Sequence, residues 1–250
     1  MSGHSHWATI KHKKASVDAK RGKIWSKLAK AVIVAAKMGG GDPDMNFRLR
    51  TAIDDAKAAG MPKENIARAV KRGTGELGGA TIEEVTYEGY GAGGVAVLVE
   101  CLTDNRNRTA SEIRKIFDLS DGKLGGINSV AWMFEAKGYF LIPGEKVDED
   151  KLMELALDAG ADDVKRSGEK FEVICEPSQY RKVSEALAAA GIQPEASQLT
   201  RIAKNTVDLD AAAAEKVLKL MDRLDDQDDV QNVSVNFNIS DEVMAEIGKG

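Results

Sequence analysis

Histidine is missing from almost the whole chain: His4, His6 and His12 are the only three in 250 residues. The commonest general base is therefore absent beyond the first twelve positions. Cysteine is nearly as scarce. Cys101 and Cys175 lie far apart and form no CxxC pair, which excludes a disulfide framework and a dithiol redox motif and fits two reduced, buried thiols. No GxSxG, no HExxH and no Cys/His nucleophile arrangement occurs, and the histidines have no cysteine or paired carboxylate at ligand spacing, whereas zinc takes about four converging ligands. The expectation is a protein that is not an enzyme, with no metal and no cofactor. No apolar run approaches the roughly 18 residues of a membrane span, and the opening has no apolar segment of signal-peptide type. A cytoplasmic location without membrane contact is expected.

What is present is segregated charge. The chain is net −5, yet residues 1–80 hold 16 Lys and Arg against 7 Asp and Glu, a net +9, which leaves −14 for the remaining 170. An acidic body repels phosphate at long range, while a concentrated basic end still attracts it locally. Seven lysines, Arg21 and two of the three tryptophans fall in the first thirty residues beside one acid, Asp18. The candidate nucleic-acid-binding set is Trp7, Lys11, His12, Lys13, Lys14, Lys20, Arg21, Lys23, Lys27 and Lys30. Cations on an arm and one helix face give phosphate contacts without base-specific geometry. The competing account is an ordinary solvated helix face with a tail, in which Trp7 pins the arm to the body instead of stacking on an unpaired base.

Periodicity divides the chain. The first sixteen or so residues have none and read as an arm. From Gly22 to Met38, Ile24, Leu28, Ala31, Val32 and Ala35 recur at helical spacing, with Lys23, Lys27, Lys30 and Lys37 elsewhere on the wheel. GGGD stops that helix. Asp44 is a candidate cap for a second through Leu49, Ala52, Ile53 and Ala56, and Pro62 fits the first turn of a third with Ile66, Ala67 and Val70 inward. GTGELGGAT reads as a hinge; it lacks the lysine and Ser/Thr of a phosphate loop and does not join a strand to a helix. EEVTYEGYG and GVAVLVECLT then read as strands, the second apolar enough for a central position. A helix with Ile113, Ile116 and Phe117 follows. Residues from VAWMFEAKGYFLIP to EASQLTRIAKNTVDL have the order β-α-β-β-α-β of a ferredoxin-like sandwich, after which a helix and the strand VQNVSVNFNI complete the sheet left open before it.

The fold class is thus α+β multidomain: an N-terminal arm and three-helix domain (1–78), a discontinuous middle α/β domain (79–130 plus 206–240), and an inserted ferredoxin-like domain (131–205). CLTDNRNRTASE places polar groups between a central strand and a helix start. Asn105, Arg106 and Arg108 form a possible second contact, against the simpler account in which Asn107 or Thr109 caps the helix and the arginines pair with the acidic body. The run DRLDDQDD at 222–229 reads as a solvated helix end.

MSGHSHWATIKHKK, DAKRGKIWSKLAKAV, GMPKENIARAVKRGTG, YEGYGAGGVAVLVECLTDNRNRTASEIR and GGINSVAWMFEAKG together resemble the YebC/TACO1 family, also called YebC/PmpR, over essentially the whole chain. His6 stands where lysine is common. The resemblance implies a cytoplasmic protein with an N-terminal helical domain and two α/β domains, one inserted in the other. Bacterial members are described as DNA-binding transcriptional regulators, mitochondrial relatives as translational activators, and some bacterial members are linked to ribosomes stalled on proline-rich peptides. DNA-binding regulation of transcription is the expected function, with a ribosomal RNA partner as the alternative and a protein-only assembly factor as the third. No helix-turn-helix or dimerisation heptad is apparent, which favours a monomer.

Overall fold

The computed structural model describes residues 18–247, and at positions 18–20, 146, 241 and 245 the backbone alone. Helix α1 (Asp18–Gly39) is the axis of the helical region. Its sequence AVIVAA buries Val32 to Ala36 without interruption, so this stretch of α1 is enclosed on every side, as a helix segment apolar all round must be. Gly40, at φ +85°, lets the chain leave α1. Helix α2 (Phe47–Ala58) follows, capped by Asn46 rather than by Asp44. The Asn46 side chain accepts from Leu49 N and donates to the carbonyls of Ala35 and Gly40 at 2.8 and 2.9 Å. One buried amide thus joins the end of α1 to the start of α2.

Helix α3 (Lys63–Gly73) buries Ile66 and Ala69, whereas Ala67, expected inward, is exposed. At its end a Cβ on Gly73 would lie 2.4 Å from Ile33 O and 2.6 Å from the Ala36 Cβ. Only glycine permits that approach. The segment after α3 is tethered rather than loose: Arg72 donates to Ala80 O, Lys37 to Ile82 O, and Ile82 joins the helical core.

Strands β1 (Glu83–Tyr90) and β2 (Ala96–Thr103) form an antiparallel hairpin in register Glu83↔Thr103. Helix α4 (Arg106–Asp118) and the short strand β3 (Lys123–Leu124) follow. The second sheet is built from β4 (Phe134–Pro143), β5 (Ala161–Ser167), β6 (Lys170–Cys175) and β7 (Ala196–Ala203), with α5 (Glu149–Asp158) and α6 (Tyr180–Ala189) on one face. Its order, β5-β6-β4-β7, is that of a ferredoxin-like sheet, and every pairing is antiparallel. The chain then returns through β8 (Val207–Asp208), α7 (Ala211–Asp225), β9 (Val230–Val235), β10 (Phe237–Asn238) and α8 (Asp241–Ile247). Strand β9 pairs with β2, giving the first sheet the order β3-β1-β2-β9.

Strand β2 is buried on both faces, which accounts for its near-continuous apolar run. Val97, Val99 and Cys101 meet Ile113 and Phe117 of α4 and Val217, Leu220 and Leu224 of α7. Ala96 and Leu98 meet Val130 and Phe134 at the approach to the second sheet, and Leu102 enters the helical core. Both cysteines are buried and free. Burial, with Asp229 nearby, pushes the Cys101 thiol up to about 12, so it carries no reactive thiolate at neutral pH.

Gly73→Ala tests the contact between α1 and α3. Helix propensity alone predicts a gain of up to about 1 kcal/mol, whereas the overlap with the Ile33 carbonyl predicts a loss of about 1–3 kcal/mol. Urea denaturation reads the sign, and a gain would show that the two helices are less tightly apposed.

Candidate nucleic-acid interface

Of the residues expected to meet nucleic acid, Trp7, Lys11, His12, Lys13 and Lys14 lie outside the described residues, and Lys20 is placed by its backbone in the first turn of α1. Arg21 is exposed on the same stretch. The remaining three turn toward the protein itself. Lys23 Nζ is 3.6 Å from an Asp228 carboxylate oxygen. Lys27 donates to Asp225 O at 2.5 Å. Lys30 donates to Asp229 Oδ1 at 2.5 Å and to Asp228 O at 3.0 Å. The run 225–229 is therefore not a solvated helix end, since it is where the basic side of α1 docks.

Asp229 is the centre of this contact. Its side chain is 2% exposed. Arg108 Nη2 donates to Oδ2 at 2.8 Å, and the Thr109 and Thr103 hydroxyls lie 2.7 and 3.3 Å from the same oxygen. Burial opposes ionisation, but the hydrogen bonds from Lys30, Arg108 and Thr109 outweigh it and hold the carboxyl well below the usual range. The backbone of Asp229 is engaged as well, its carbonyl accepting from Leu102 N at 2.8 Å. Lys23, Ser26, Lys30, Arg108, Glu112 and Asp228 line a polar cleft of about 510 Å³ beside it.

The second expected contact divides in the same way. Asn105, not Asn107 or Thr109, is the cap of α4; its side chain accepts from Arg108 N at 3.1 Å. Arg108 is held by Asp229 and, at 3.1 Å, by Asp104. Arg106 alone points into solvent, its side chain 68% exposed with Glu83 at 3.9 Å.

Two surfaces stand out that charge counting along the first thirty residues does not reach. On α3, Lys63, Arg68 and Lys71 are exposed, and none makes an ion pair with the described residues. The signal for them is the alternation in KENIARAVKRG, where the apolar positions fix the inner side and leave these cations outward. The other surface is the loop after β3. Residues 124–134 carry no charge. Buried Glu88 accepts from the backbone N–H groups of Asn128, Val130 and Ala131 at 2.7–2.8 Å, which outweighs its burial and lowers its carboxyl below the usual value. Ile127, 91% exposed, and Trp132, 63% exposed, project from this fixed loop. The indole N–H of Trp132 donates to Ser129 O at 3.2 Å.

Among the described residues no three or more His, Cys, Asp or Glu side chains converge on a metal-holding geometry, and no described helix is long and apolar enough to cross a membrane. Residues 5–76 match the model of the TACO1/YebC N-terminal domain, and residues 82–237 match that of the TACO1/YebC second and third domain. The chain belongs to the YebC/TACO1 family. Similar proteins include a probable transcriptional regulatory protein of Desulfatibacillum aliphaticivorans, 56% identical over 98% of this chain and 100% of that one. Another of Geobacter sulfurreducens is 55% identical over 99% and 100%. The crystal structure of a conserved hypothetical protein from Aquifex aeolicus superposes with a TM-score of 0.86 at 49% identity, covering 96% of this chain and 99% of that one. As a YebC/TACO1 protein, the chain is associated at the family level with transcriptional regulatory proteins.

Asp229→Asn removes the charge that Lys30 and Arg108 share, and is expected to cost roughly 2–3 kcal/mol at pH 7. Because the folded-state carboxyl is depressed, its contribution is present above the unfolded carboxylate range, near pH 4, and is lost as pH falls toward the folded value. The stability gap between wild type and variant should therefore narrow below about pH 4. Urea denaturation at pH 7 and pH 3 measures it, and a constant gap would show that the carboxylate charge is not what stabilises the contact.

Proposed function

We propose that this protein is a cytoplasmic DNA-binding regulator of transcription whose nucleic-acid contacts lie in its basic N-terminal third. The observation that carries this reading is the charge segregation, +9 over residues 1–80 against −14 over the rest. Such a molecule approaches a polyanion with one end foremost, because the acidic body is repelled while the basic end is drawn in. Within that end, Lys23, Lys27 and Lys30 are engaged by residues 225–229. The arm residues Trp7, Lys11, His12, Lys13 and Lys14, with Lys20 and Arg21, then carry the contact. Binding of this kind is steep in salt and modest in sequence preference. Family membership supports a regulatory rather than a catalytic role.

A second reading, a ribosomal RNA partner and a role in translation, is favoured by one observation. Trp132 and Ile127 project from an uncharged loop whose backbone Glu88 immobilises. Apolar and aromatic groups presented in this way suit unpaired bases, which a folded RNA offers and a DNA duplex conceals.

Lys13→Gln with Lys14→Gln should weaken binding to duplex DNA and reduce the slope of log K against log salt by about 2. An unchanged slope in a fluorescence anisotropy titration would remove the arm from the interface, and no measurable binding by wild type would leave the protein-only alternative or the RNA reading. For the RNA reading, the chain is followed on a sucrose gradient with and without RNase. RNase-sensitive migration with ribosomal particles, lost on Ile127→Ala with Trp132→Ala, would displace DNA as the partner. Absence from the particles together with recovery of genomic fragments supports transcriptional regulation.

A further inference from the structure

We propose that the outer face of α3, through Lys63, Arg68 and Lys71, is a phosphate-backbone contact surface for duplex DNA; the proposal rests on the nucleic-acid reading and adds a site to it. Three observations carry it. The first is which cations are already engaged. From Arg21 to Arg72, Lys23, Lys27, Lys30, Lys37, Arg48, Arg50, Lys57 and Arg72 each contact a carboxylate or a carbonyl, and Arg21 also has an interaction. Lys63, Arg68 and Lys71 make none with the described residues. A paired cation must give up its partner before it meets a phosphate, whereas an unpaired one releases only its own counterions.

The second observation is placement. The Trp25 indole N–H donates to Ala59 O, just ahead of α3, at 3.0 Å, while Gly73 at the far end abuts Ile33 O. Helix α3 thus runs alongside α1 in the same direction, and Lys63 lies toward the N-terminal end of α1. The cations of α3 thus lie on a different side of the helical region from the α1 lysines that face residues 225–229.

The third is spacing and rigidity. Lys63 to Lys71 spans about 12 Å of helix, a length over which one DNA strand places roughly three to four phosphates. Arg68 and Lys71, three residues apart, project side by side. Glu64 is the one acid on the helix. The fit of Gly73 against α1 fixes the helix, so the cations are presented on a rigid element. The sheet domains also carry cations without an ion pair to the described residues, Lys151 and Lys182 among them, but these belong to the part of the chain that carries a net −14, which disfavours phosphate.

The test uses the full chain and a 30-base-pair duplex of random sequence, titrated by fluorescence anisotropy at several KCl concentrations. Three proteins are compared: wild type, Lys63→Gln/Arg68→Gln/Lys71→Gln, and the control Lys151→Gln/Lys182→Gln. All substitutions are on exposed positions, and circular dichroism with thermal melts checks that each variant folds. The α3 variant should bind between about ten and several hundred times more weakly near 0.1 M salt, with its salt slope reduced by two to three. The control should match wild type in both. Wild-type affinity and slope in the α3 variant would overturn this proposal and leave the arm as the DNA contact. An equal loss in the control would overturn it as a mere effect of net charge. Failure of wild type to bind DNA would sink the DNA-binding reading itself, and this surface with it.

Discussion

A buried carboxylate without partners is among the least tolerable groups in a folded protein, and Asp229 meets this constraint by drawing three elements to one point. Lys30 comes from α1, Arg108 and Thr109 from α4, and Thr103 from the end of β2. Among the described residues the helical region shares a small apolar contact with the first sheet, through Leu102 and Ile82. Its orientation is therefore set chiefly by charged hydrogen bonds, which are directional, rather than by apolar burial, which is not. The register of β2 on β9 shifts between Glu100 and Cys101, beside the point where Leu102 N reaches the Asp229 carbonyl. A bulge of this kind re-aims a strand end, and here it aligns β2 with the loop that holds the carboxylate.

The same strand links the sheets. Glu100, on the face of β2 that carries Ala96 and Leu98, takes Arg201 of β7 at 3.1 Å and Asn232 of β9 at 3.2 Å. Asn232 also donates to Thr200. Helical region, first sheet and second sheet thus all meet along eight residues. Polar contacts mark the places where one unit touches the next, beside small apolar ones such as Ala96 and Leu98 against Phe134, and Leu102 in the helical core. Interfaces made this way are specific in geometry and modest in hydrophobic area.

The order of helices and strands was legible because it rests on local periodicity: the β2 run, the glycine turn before it and the β-α-β-β-α-β succession each announce themselves within a few residues. The partners of the charged side chains were not. Lys23, Lys27 and Lys30 look like a solvated basic face, and 222–229 like a solvated acidic end, because about 200 positions separate the two and no local pattern relates them. Glu88 is hidden for the same reason, since its partners are backbone amides some forty residues on. Caps lie between these extremes. Asn105 and Asn46 sit in strings of plausible capping residues, and which one serves depends on where the preceding strand or turn releases the chain.

The long reach between Lys30 and Asp229 has a consequence for how the molecule is made. Translation delivers α1 first, and 199 residues must still be added before its principal counter-charge exists. At about 5–20 residues per second this is an interval on the order of 10–40 s. Throughout it the nascent helical region carries Lys23, Lys27 and Lys30 uncompensated, next to a ribosomal surface rich in phosphate. The finished protein presents fewer open cations than the same segment does at birth, so docking of residues 225–229 also withdraws a basic surface from its surroundings.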